Sequence, residues 1–125
     1  MRVLKLTADD AIWTRVGDHK IFVSDLVDQA SVPDARMTVG FARVDKGPTL
    51  EISFPYDEVL ILTKGSYTVH TQHGEVVTAR AGEVIYLPAG SSNSSHADED
   101  AEMVYVASPP SVYAEHVAAS AEGNG

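Results

Sequence analysis

Glu58 heads the run Val59-Leu60-Ile61-Leu62, and a carboxylate opening a segment that is apolar on both faces is the side chain best placed to do chemistry in this sequence. Such a run predicts a strand buried on both sides, so Glu58 is expected to lose much of its water. Burial disfavours a charged carboxylate unless a cation answers it. A carboxyl held in that state can serve as a polar anchor or as a general acid or base. Arg43 is a second candidate. It lies on a strand read from Met37 to Val44 and shares the alternation of Phe41 and Met37; if that face is the inner one, its planar fork meets Glu58 or an anionic ligand. Tyr56 and Tyr105 offer hydroxyls to a pocket wall, although packing is the commoner role for each.

Several chemistries are missing. Without cysteine there is no disulfide, zinc-thiolate site or thiol nucleophile. No Ser-His-Asp order, phosphate-binding glycine loop or dinucleotide pattern occurs. His70 and His73 flank a turn at Gly74, His19 sits in the polar stretch Gly17-Asp18-His19-Lys20, and His116 lies near the C-terminus. These four carry little signal.

The elements that must position Glu58 are short and β-rich: Lys20 to Val27, Met37 to Val44, Glu58 to Thr63, Ser66 to Thr71, Glu75 to Ala79, Val84 to Leu87 and Met103 to Ala107. Turn signals at Gly47-Pro48, Lys64-Gly65, His73-Gly74 and Ala81-Gly82 separate them, which predicts an all-β sandwich or barrel. The run Ser91-Ser92-Asn93-Ser94-Ser95 reads as a polar loop at the barrel mouth. Pro109-Pro110-Ser111 offers a stop and an N-cap, so Val112 to Ala119 is expected to form a short helix and Ser120 to Gly125 a disordered tail.

The chain of 125 residues suits one domain, 1–119, followed by the tail 120–125. Nine Lys plus Arg against eighteen Asp plus Glu give a formal charge of −9, which disfavours nucleic acid and anionic membranes as partners. The N-terminus lacks an apolar leader and no run approaches the roughly 18 apolar residues of a membrane span, so a cytoplasmic location is expected.

Two glycine patterns sharpen the fold. Gly82 to Gly90 reads Gly-x5-Pro-x-Gly, and Glu58 is followed after six residues by Gly65. In this order and separation they resemble the two cupin motifs, at 51–65 and 82–93, which implies a jelly-roll barrel of the double-stranded β-helix type. Within the cupins, Tyr56-Asp57-Glu58 with Gly65, the stretch Ala79 to Ser92, and Val104-Tyr105-Val106-Ala107-Ser108-Pro109 look like the EutQ-like branch from ethanolamine utilisation. The resemblance implies a small homodimer linked to ethanolamine breakdown in bacterial microcompartments. An acetate kinase activity has been attributed to some members, but nothing in these residues independently points to phosphoryl transfer.

The same resemblance locates the metal ligands. Counting four residues back from Glu58 puts the two histidine positions of the first motif at Glu51 and Ser53, and the last histidine position falls on Asn93. Only Glu58 survives of the four usual ligands. A metal-dependent cupin enzyme, such as a lyase, isomerase or oxygenase, would draw on Glu51, Glu58, Asn93 and His96 to hold manganese, iron, nickel or zinc. His96 lies three residues after Asn93 and faces away from it in an extended strand, so it joins only if the loop after Gly90 folds back. The leading expectation is a barrel that binds a small organic molecule without a tightly held metal, with Glu58 as anchor or general acid or base. A structural or assembly role without chemistry is the third reading.

Overall fold

A computed structural model describes residues 3–16 and 21–110. The expected terminal helix and tail, together with His19 and His116, lie outside these residues. Among the described residues, eight strands form one antiparallel sheet: β1 (Thr14–Arg15), β2 (Ile21–Val27), β3 (Thr38–Val44), β4 (Gly47–Ser53), β5 (Asp57–Thr71), β6 (Val76–Arg80), β7 (Val84–Leu87) and β8 (Ser92–Ser108). A 3₁₀ turn at Ala8–Asp10 is the helical element among the described residues. None of their helices is long and apolar enough to cross a membrane.

The strands run in the order β1-β2-β3-β8-β5-β6, with β4 also paired to β8 and β7 to β5. Both central strands exchange partners along their length. The first half of β8 pairs with β4, from Ser53↔Ser92 to Gly47↔Ala97, and its second half pairs with β3, from Val44↔Ala101 to Thr38↔Ala107. β5 pairs with β7 through Glu58–Ile61 and with β6 through Ser66–His70. Its register against β8 slips between Leu62 and Tyr67, and bulges of this kind bend a strand and increase its twist. One face of the sheet thereby closes around a single core, where Val23, Leu60, Leu62, Val69, Met103 and Tyr105 are buried.

Gly65 makes the bend. It adopts a φ of 72°, and a Cβ at this position would stand 2.1 Å from the Asp100 carbonyl oxygen of β8. The expected turn at Lys64-Gly65 is therefore a bulge inside one continuous strand, whereas the turns at Gly74 and Gly82 are present. The Ser91 to Ser95 run also departs from expectation, because from Ser92 onward it is strand. β8 lies between β4 and β5 there, and pairing on both edges overrides the weak β-propensity of serine and asparagine.

Candidate active site

Glu58 is 1% exposed, deep in the interior. Its neighbours across the sheet are Leu87 and Ala107, and Tyr56, two residues before it, is buried as well and stacks on Phe54 at 5.1 Å between ring centroids. Two more buried phenols complete the surroundings. The Tyr67 hydroxyl is hydrogen-bonded to the Ser95 hydroxyl, and the Tyr105 hydroxyl donates to the Asp25 carboxylate. Gly40 is the cross-strand partner of Tyr105, and a Cβ there would lie 2.3 Å from the Tyr105 hydroxyl and 2.2 Å from the Ser24 carbonyl oxygen. Only glycine leaves room for the Tyr105 hydroxyl to reach Asp25.

Burial pushes the Tyr67 hydroxyl up to about 12; the Ser95 hydrogen bond pulls it back in part, and the Glu58 charge raises it further. Tyr105 is raised more strongly, by burial first, then by Asp25 and more weakly by Glu58. Both phenols therefore keep their protons at neutral pH. Glu58 thus lies within electrostatic reach of both buried phenols, whose hydroxyls are engaged by Ser95 and Asp25.

A cavity of about 310 Å³ opens toward one end of the barrel, with Val69, Val77, Ile85 and Leu87 forming its apolar wall. Thr71, Asn93, Glu75 and Tyr86 supply a polar and aromatic rim. Its size meets the lower end of the range for small-molecule sites, about 300–1,000 Å³. Glu58 does not line this cavity, but its cross-strand neighbour Leu87 does. The Gly-x5-Pro-x-Gly segment fixes the rim. The Ala89 N–H donates to Asp57 Oδ1 at 2.8 Å and the Gly90 N–H to the Phe54 carbonyl at 2.9 Å, so the segment is tied to the stretch that leads into Glu58.

The structure separates several residues that the motif reading groups together. Glu51 and Ser53 are exposed, while Ile52 and Phe54 face inward at 4% and 5% exposure. A spacing of three rather than four residues before Glu58 therefore marks the inward pair, and both its members are apolar. Asn93 pairs with Ile52 and lines the cavity, as expected for an inward position. Glu51 pairs with Ser94 and His96 with Thr68, on the outer face, because β8 is extended through this stretch. Glu51, Glu58, Asn93 and His96 thus do not share one face. Among the described residues no three His, Cys, Asp or Glu side chains are gathered to hold a metal ion. With Ile52, Phe54 and Asn93 at the inward motif positions, the donors beside Glu58 do not fit the transition-metal centre that the cupin motifs imply.

Arg43 is not brought to Glu58 either. Ala42 and Val44 take the inward positions of β3, which leaves Arg43 half-exposed, with Nε 3.2 Å from Glu102 Oε1 and the guanidinium 4.5 Å from the Trp13 ring. Tyr67, Ser95 and Asp25 were not singled out from sequence. The alternation Tyr67-Thr68-Val69 carried the signal for the first, whereas Ser95 was hidden in the polar run.

The family described as ethanolamine utilisation protein EutQ matches residues 5–114. A crystal structure assigned to ethanolamine utilization protein Q of Salmonella typhimurium superposes with a TM-score of 0.75 at 26% identity, covering 84% of this chain and 85% of that one. The EutQ protein of Clostridium difficile gives 0.67 at 24% identity, covering 86% and 75%. Ectoine synthase of P. lautus shares the fold, with a TM-score of 0.75 at 17% identity and coverage of 92% and 83%. No sequence among the curated proteins matches the chain.

Proposed function

Because this chain belongs to the EutQ family, within the cupin fold, we propose that it acts in ethanolamine utilisation by binding a small organic amine in the barrel, with Glu58 as the proton-holding group behind the site. The observation that carries this reading is the cavity of about 310 Å³, whose apolar wall ends at Leu87, the neighbour of the buried Glu58. The ligand class follows from charge. The cavity walls carry Glu75 and no lysine or arginine, and the chain as a whole bears −9, so a cationic amine is concentrated at the mouth. The space accommodates an amino alcohol or a larger derivative of one. Contact with Glu58 requires the Leu87 side chain to give way, which makes Glu58 a second point of engagement after the rim.

Saturation-transfer NMR with ethanolamine as probe tests this. Transfer is expected in the wild-type protein and its loss in Val77→Trp, which fills the cavity from its partly exposed side. Glu58→Gln keeps the shape and is expected to weaken binding about tenfold, the effect of losing one charge-assisted contact. Equal transfer in wild type and Val77→Trp would reject the cavity, and unchanged affinity in Glu58→Gln would assign that residue to the fold.

The proposal includes a homodimer. Val39 and Phe41 of β3, Val104 and Val106 of β8, Val59 and Ile61 of β5, and Val84 and Tyr86 of β7 stand in adjacent registers on the outer face. An apolar strip across four strands is of the kind that subunits cover. Sedimentation of Ile61→Glu is expected to give a monomer where wild type gives a dimer; a monomeric wild type would remove the dimer from the account.

A further inference from the structure

On the outer face of the other half of β5 and β8, five side chains form a directed chain of hydrogen bonds. His70 Nε2 lies 3.3 Å from His96 Nδ1, His96 Nε2 lies 2.9 Å from Asp98 Oδ1, Thr68 Oγ1 donates to Asp98 Oδ2 at 2.6 Å, and the Thr68 and Thr78 hydroxyls are 2.8 Å apart. The protons can be assigned. The Thr68 hydroxyl donates to one Asp98 oxygen and His96 Nε2 faces the other, and an ionised carboxylate has no proton to give. Asp98 is thus an acceptor on both oxygens, and His96 must carry its proton on Nε2. In a neutral ring Nδ1 is then bare, so it accepts from His70 Nε2.

This arrangement has the proportions of a metal site. Two imidazole nitrogens bound at 2.0–2.1 Å to one tetrahedral zinc ion stand about 3.3 Å apart, the separation found between His70 Nε2 and His96 Nδ1. The ring centroids are farther apart, at 5.1 Å, so the nitrogens converge. His96 already donates its remote N–H to a carboxylate, the arrangement that fixes the tautomer of zinc-bound histidines and strengthens them as ligands. We propose that His70 Nε2 and His96 Nδ1 form a two-point zinc site on the outer face of the sheet, with Asp98 as the positioning residue for His96.

Binding shifts the single proton of His70 from Nε2 to Nδ1, which frees both facing lone pairs with no net loss of protons. The remaining coordination positions of the ion are open to water or to a donor of an incoming molecule. Glu51 stands in the same cross-strand row as His70, beyond Ser94, and shares with it a groove of about 220 Å³ whose walls carry no lysine or arginine. His70 and His96 do not line the barrel cavity, although the groove and the cavity share Thr71, Gln72 and Asn93.

Zinc chloride titrated into the full-length, tag-free protein and followed by calorimetry is expected to show one equivalent bound with micromolar affinity. His70→Ala and His96→Ala each weaken it by roughly tenfold or more, and Asp98→Asn by about tenfold, as for an outer-shell partner. Thermal unfolding reports whether each variant is folded. In the wild-type protein, the ring nitrogen resonances of His70 and His96 are expected to move together on addition of zinc. Absence of binding, binding that survives removal of both histidines, or ring resonances that stay in place would overturn the proposal.

Discussion

Gly65→Ala is expected to destabilise the protein by about 3 kcal/mol or more, a large share of the roughly 5–15 kcal/mol that holds a domain folded. Two effects combine. An L-residue in the left-handed region costs about 1–2 kcal/mol, and the new Cβ would lie 2.1 Å from the Asp100 carbonyl oxygen. That oxygen belongs to the backbone of β8, which is paired along both edges, so relief requires the two central strands to separate. Chemical denaturation should show the midpoint falling steeply. Gly74→Ala serves as the comparison: it too has a positive φ, of 87°, but nothing lies within 4 Å of its added Cβ. Equal losses at the two positions would mean that the approach of β5 to β8 contributes nothing beyond backbone strain.

Alkaline pH is expected to expose the buried phenols. An unfolded tyrosine titrates near 10, whereas Tyr67 is held up to about 12 and Tyr105 is raised further. Below pH 10 folded and unfolded chains both keep these protons, and the stabilisation is fully present. Above it the unfolded chain releases protons that the fold retains, so stability declines as pH rises toward the folded value. For two tyrosines the slope approaches about 2.7 kcal/mol per pH unit between about pH 10 and 12. Tyr67→Phe should remove one proton's worth, about half the slope, at the cost of roughly 1 kcal/mol for the lost Ser95 hydrogen bond. Unfolding free energies measured on either side of pH 10, with tyrosinate absorbance as the second signal, check both points. A slope unchanged in Tyr67→Phe would contradict the assignment.

Much of the fold was legible because its signals are local. Alternation in Ile21 to Val27, Thr38 to Val44 and Val84 to Leu87 marked the strands, and the Glu58, Gly65 and Gly82 to Gly90 pattern marked the cupin. Burial of Glu58 followed from its apolar flank. What failed depended on long-range pairing. Ser92 to Asp98 lacks β-branched residues and becomes strand because β4 and β5 hold it from both sides. The inward pair at Ile52 and Phe54 was missed because a one-residue change in motif spacing reverses which face each side chain takes. Arg43 was misplaced for a similar reason, since nothing in its own strand said that Ala42 and Val44, rather than Phe41 and Arg43, face the core. The His70, His96 and Asp98 chain joins residues 26 and 28 positions apart, so its cross-strand contacts were invisible from sequence.

If the barrel binds a small amine with Glu58 behind it, the amine must be visible there. A crystal structure of the protein grown with saturating ethanolamine tests it most directly. Ligand density is expected inside the cavity, against Val69 and Ile85 and within hydrogen-bonding reach of Asn93 or Glu75. A cavity holding only water under those conditions would contradict it.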